Sequence, residues 1–170
     1  MTGRLVERLA ELWALAGGIL LLAIVAVTSW NVGAFALHRV VEPFGMTVEG
    51  LPGYEDAVRL MISAAALMFF PYCQLRRGHV VVDIFVRALP MALQRGLDRA
   101  WLGLTAALAV FLAHWMVIGL AETRADATST SILGWAEWPF YIPGVVSLAL
   151  WAVVAARQCA ARAEGDPDGA

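Results

Sequence analysis

The chain has 170 residues, of which 61% are hydrophobic and 15% charged, against roughly 45–50% apolar and about 25% charged in ordinary soluble domains. One soluble core of this size cannot bury that much apolar surface, so the composition excludes a water-soluble globular domain. A net charge of −2 offers no attraction to nucleic acid or another polyanion, so no nucleic-acid partner is expected.

Apolar stretches run at about 12–37, 57–75, 100–121 and 138–156. A helix rises about 1.5 Å per residue, so some 20 residues cross the roughly 30 Å hydrocarbon layer. Lipid offers no partner for an unpaired backbone group, and barrel strands would be shorter and alternating, which leaves helix as the spanning form. The expected fold is an all-α integral membrane protein: one domain over 1–163 with four transmembrane helices, then a short polar tail, 164–170, expected to be disordered.

Arg4 and Arg8 precede the first stretch, and Ala34-Phe35-Ala36 fits a small-x-small cleavage pattern. The apolar run before that site is far longer than the roughly 7–15 residues of a signal peptide's apolar region, so it reads as a retained helix. With the N-terminus inside, the cytoplasmic segments hold Arg4, Arg8, Arg76, Arg77, Arg87, Arg95, Arg99, Arg157 and Arg162, leaving only Arg39, Arg59 and Arg124 outside. Nine arginines against three place both termini in the cytoplasm.

At the head of the second stretch stand Glu55, Asp56 and Arg59. Arg59 follows Glu55 by four positions and Asp56 by three, a spacing that predicts an ion pair within one helical turn. The group reads either as a solvated helix start or as an outer contact point for another protein. Beyond the second stretch, His79, Asp83 and Arg87 recur every four residues among Val80, Val81, Ile84, Phe85, Ala88 and Leu89. That stripe predicts an amphipathic interfacial helix over about 79–89, turned out of the membrane at Gly78 and bent before Pro90. A strand through Val80–Val82 is the competing reading, disfavoured because its edges would lack partners.

His114 is the one ionisable residue well inside a stretch; its simplest role is a neutral imidazole hydrogen-bonded to a neighbouring helix. His38 and His79 lie toward opposite faces, which argues against a bis-histidine haem within the chain. Cys73 and Cys159 fall near cytoplasmic ends and read as buried, unpaired thiols. No nucleotide-binding loop, metal-ligand cluster, nucleophile–base spacing or internal repeat is present in the sequence, so neither an enzyme nor a cofactor is expected. A chain so poor in polar residues within its spans either forms a path with a partner or holds one.

Three segments resemble the small membrane subunit, DctQ type, of the tripartite ATP-independent periplasmic (TRAP) transporters. They are Glu55-Asp56-Ala57-Val58-Arg59; Arg77-Gly78-His79-Val80-x-x-Asp83 followed by Leu89-Pro90; and Trp138-Pro139-Phe140-Tyr141-Ile142-Pro143-Gly144. The sequence departs from the resemblance at Leu51-Pro52-Gly53-Tyr54, where relatives often carry Trp before the acidic pair. The resemblance implies a bacterial inner-membrane protein beside two partners, a large DctM-type membrane subunit and a periplasmic substrate-binding protein. The large subunit would move an organic acid, typically with a sodium gradient, while the small one scaffolds it. It also marks Glu55, Asp56, Arg59, Arg77, Gly78, His79, Asp83 and Pro143 as motif or subunit-interface candidates. The alternatives are a membrane-anchor subunit of a redox complex, suggested by His114, and an independent small channel or exporter.

Overall fold

The computed structural model describes residues 2–76 and 90–163. The expected interfacial helix at 79–89 and the tail at 164–170 lie outside the described residues. Among the described residues the regular elements are helices, beside one isolated antiparallel bridge, Ser129 to Ala136, in a connection.

Helix α1 (Thr2–Val41) runs 40 residues, about 60 Å at the standard rise and some twice the hydrocarbon thickness. No proline interrupts it until Pro43, which opens a single 3-10 turn, Glu42–Phe44. Helices α2 (Tyr54–Met68) and α3 (Phe70–Leu75) follow. They part at Phe69 because Pro71 has no N–H to donate to the preceding turn; Phe69 keeps helical dihedrals, φ −82° and ψ −21°, so the chain runs on in helical geometry. Helix α4 (Met91–Ala125) starts after the extended Pro90, whose carbonyl accepts from Leu93 and Gln94. Helix α5 (Tyr141–Ala163) is entered through a 3-10 turn, Trp138–Phe140, and carries Pro143 in its first turn, where no intrahelical donor is lost.

Among the described residues, four helical stretches are long and apolar enough to cross a bilayer: Arg4–Phe44, Tyr54–Leu75, Leu93–Ala125 and Trp138–Ala161. Each contains one of the apolar stretches of the sequence. Their packing is a row. Helix α5 lies along α4 on one side and along α2 and α3 on the other, and α1 packs against α2 and α3. Helices α1 and α4 make no extended contact, so they form the two edges. Burial follows that order: 39% of the apolar window of α5 is buried, against 17% for α1 and 6% for α4.

Small residues set the helix spacing. Ala64, Ala65, Ala109, Ala152 and Ala155 are buried with Leu148 and Trp151. Small side chains let backbones approach where lipid supplies no hydrophobic drive between helices. Gly144 shows the limit: a Cβ there would stand 2.6 Å from Met116 Cε and 3.0 Å from Leu67 Cδ1. Its absence lets α2 and α4 meet over the backbone of α5. Phe70 packs edge-on against Trp151, ring centroids 5.1 Å apart.

Polar side chains tie the row together. Trp13 Nε1 donates to Ser147 Oγ at 2.8 Å, joining the first helix to the last. Gln74 Nε2 donates to Gln158 Oε1 at 2.8 Å, Gln158 Nε2 returns a bond to the Gln74 carbonyl at 3.1 Å, and Trp151 Nε1 donates to Gln74 Oε1 at 3.2 Å. Both glutamines are buried, where unpaired amides would be costly. Arg76 reaches Glu11 at 3.3 Å on the surface of the same end. Cys73 and Cys159 are free thiols, but half-buried rather than buried.

Candidate functional site at the head of the second span

Successive spans alternate in direction, so both termini lie at one end and the connections 42–53 and 126–137 at the other. Both connections are pinned to helices by side chains. The fully buried Asn31 of α1 accepts the Leu51 N–H on Oδ1 at 2.7 Å, and His38 Nδ1 accepts the Val48 N–H at 3.2 Å. The first connection is thus laid back onto the end of its own helix.

The second connection is a small folded loop. Thr130 donates its N–H to the Trp135 carbonyl at 2.9 Å, and its hydroxyl accepts the Trp135 N–H at 3.0 Å. Glu137 N–H donates to the Thr128 carbonyl at 3.1 Å, which closes the hairpin. Trp135 stacks on Phe140 with planes 6° apart, and the Arg124 guanidinium lies 5.1 Å from the Trp138 ring centroid. Aromatic rings gathered here suit the headgroup level of a bilayer.

Helix α2 grips this loop from below. Asp56, in its first turn, accepts the N–H groups of Ile132 at 2.9 Å and Leu133 at 3.3 Å on one carboxylate oxygen. Ionised acceptors make such bonds stronger than neutral ones. Gly53, just before the helix, has φ +75°, and a Cβ there would lie 2.8 Å from Leu133 Cγ. Both conformation and space therefore call for glycine. One turn deeper, Arg59 donates to Glu137 Oε1 at 2.9 Å. The pair rims a groove of about 380 Å³ whose walls include Leu60, Leu67, Met116 and Phe140.

The sequence places Arg59 with the acids of its own turn; the structure instead joins it to Glu137, 78 positions away. The reason is geometric. Asp56 is engaged by the loop amides, and that engagement brings the base of the loop, with Glu137, over the Arg59 side of α2. Glu55 lies on the exposed side of the helix. Pro143 acts through its backbone, its carbonyl accepting the Ser147 hydroxyl at 2.6 Å. Arg77, Gly78, His79 and Asp83 lie outside the described residues. The sequence reading missed Asn31, Gln74, Gln158 and the role of Glu137. An amide inside an apolar stretch is a legible signal for Asn31 and Gln74; Gln158 lies just past the 138–156 stretch, and for Glu137 there is no signal.

His114 differs from its expected place. Its ring lies on the exposed side of α4, 6.1 Å from that of Trp115, and not against a neighbouring helix. An edge helix has a neighbour within this chain on one side only.

Fold and site together define a small multi-span helical membrane protein whose polar groups fasten helices and loops to one another. Within that class, the chain belongs to the family described as tripartite ATP-independent periplasmic transporters, DctQ component, whose model matches residues 46–165, more than half of the chain. The matched range holds α2 to α5 and the whole loop clasp. No curated protein matches the chain. Membership agrees with the resemblance of the three motif segments and lends no support to a redox-complex anchor. The chain is a transporter component.

Proposed function

We propose that this subunit scaffolds the large membrane subunit of a TRAP-type secondary transporter, which takes up an organic acid delivered by a periplasmic binding protein and driven by an ion gradient. Both termini lie in the cytoplasm and the Asp56–loop clasp faces the periplasm, as the nine-to-three distribution of arginines favours. The observation that carries the reading is the open row of spans. A row encloses no lumen, while it offers broad apolar faces to a neighbour. Its buried polar side chains Gln74, Gln158, Ser147 and Thr130 are engaged in bonds that hold the row and its loop.

The test is co-purification followed by reconstitution. The chain should copurify with a much larger multi-span protein, and uptake by proteoliposomes should need both. Full uptake by the large protein alone, or solute flux through this chain alone, would overturn the scaffold role.

A further inference from the structure

Below the Arg59–Glu137 pair, the groove of about 380 Å³ runs down the seam between α2 and α4. Leu60, Ser63 and Leu67 of α2 line one side; Met116 of α4, with Phe140 and Tyr141 at the entrance to α5, lines the other. Leu67 stands eight residues past Arg59, about 12 Å deeper along the helix, against roughly 15 Å of hydrocarbon in one leaflet. The floor lies where Leu67 and Met116 meet over Gly144, about 14 Å below the end of α4. Between rim and floor, the Ser63 hydroxyl is turned back to the Arg59 carbonyl at 3.3 Å. The groove is therefore charged at the loop end and apolar toward the middle of the bilayer.

Those two ends call for an amphiphile. Trp135, stacked on Phe140, sets the rim at headgroup level. Arg59 spends one N–H group on Glu137, and a guanidinium carries several more. At 65% exposed it has room for a phosphate, which arginine grips through paired N–H groups. The surrounding charge selects the headgroup. Glu55, Asp56 and Glu137 supply three carboxylates against Arg59, while Arg124 lies over the Trp138 ring. An anionic headgroup would meet net repulsion there, whereas one that carries its own ammonium complements both signs. A small soluble anion would leave the apolar walls uncovered.

We propose that this groove holds one zwitterionic phospholipid of the leaflet on the loop side. Its phosphate sits on Arg59, its ammonium faces the surrounding carboxylates, and one acyl chain lies down the seam against Leu67 and Met116. The groove belongs to this chain alone, so the site does not depend on the scaffold reading. The acyl chain fills the space that α2 and α4 leave open above Gly144.

The test delivers phosphatidylethanolamine with a benzophenone on one acyl chain, or the phosphatidylglycerol analogue, into native membranes that hold the full chain. Illumination should place adducts of the first on Leu67, Met116 or Phe140 well above those on Leu22, which is 70% exposed on α1 and reports ordinary lipid contact. The anionic analogue should label the groove about three- to tenfold less, as one repelled charge near a surface predicts. Arg59→Gln should lower groove labelling about tenfold, the low end for a hydrogen bond to a charged group, and Arg59→Lys should keep most of it. Ser63→Trp, whose ring would enter the groove from an exposed position, should abolish groove labelling and leave that of Leu22 as it is. Even labelling of groove and Leu22, equal labelling by the two lipids, or labelling indifferent to Arg59 and Ser63 would each overturn the site. So would an unlabelled groove, the result expected if another protein fills it.

Discussion

Arg59 and Glu137 meet at 2.9 Å across 78 positions of sequence, although two acids stand within one turn of the arginine on its own helix. The guanidinium is 65% exposed and the carboxylate 19%. In water such a pair contributes about 0–1 kcal/mol. Its larger effect is directional: it fixes where the loop leaves the entrance to α5.

Reversing one charge and then both separates this pairing from the local one. Arg59→Glu sets a second carboxylate against Glu137 and should lower the stability of the purified protein by about 1 kcal/mol, read as a lower thermal midpoint. The double change Arg59→Glu with Glu137→Arg should recover most of the loss. No recovery would mean that Arg59 acts with Glu55 or Asp56 instead.

Asp56→Ala removes the acceptor for two loop amides and should loosen the loop over the head of α2. Amide exchange at Ile132 and Leu133 should accelerate while that of α4 stays as it is. Asp56→Asn keeps an acceptor oxygen and should fall between the two. Unchanged exchange at those amides would dissociate Asp56 from the loop.

Gly53→Ala should harm the same loop by a different route. The new methyl meets Leu133 and sits on a backbone with φ +75°, for which a non-glycine residue costs about 1–2 kcal/mol before the clash is added. Lower yield and faster exchange at Leu133 are expected. A neutral result would show that the turn can adopt another conformation.

The glutamine clasp calls for a double-mutant cycle. Gln74→Leu leaves Gln158 and Trp151 Nε1 short of partners, and should cost about 1–3 kcal/mol. Gln158→Leu should behave similarly. The double leucine variant should be more stable than the sum of the singles suggests, since it removes the stranded amide along with its partner. Strict additivity would mean that the two side chains do not act as a unit.

Topology can be checked in cells with Cys73 and Cys159 changed to Ser. A cysteine replacing Phe44, which is 76% exposed in the first connection, should react with an impermeant maleimide from the periplasm. One replacing Arg4 should react only after permeabilisation. The opposite pattern would reverse the orientation drawn from the arginines.

The helices themselves were legible in the sequence because the bilayer imposes a local rule. Any segment that crosses it must be apolar over some 20 residues and must satisfy its backbone internally. The stretch around Leu60 is helical for that reason, whatever surrounds it, and the three motif segments around Asp56, Gly78–Asp83 and Pro143 carried the resemblance to the family. Which side chains meet obeys no such rule. Arg59 had two acids within reach on its own turn and one far along the chain, and only the fold of the loop between α4 and α5 decided among them. His114 was read as facing a neighbour, because the sequence does not say whether helices close into a ring or lie in a row. That choice depends on where Gly144, Ala109 and Ala152 permit close approach, a property of surfaces in contact and not of any one segment.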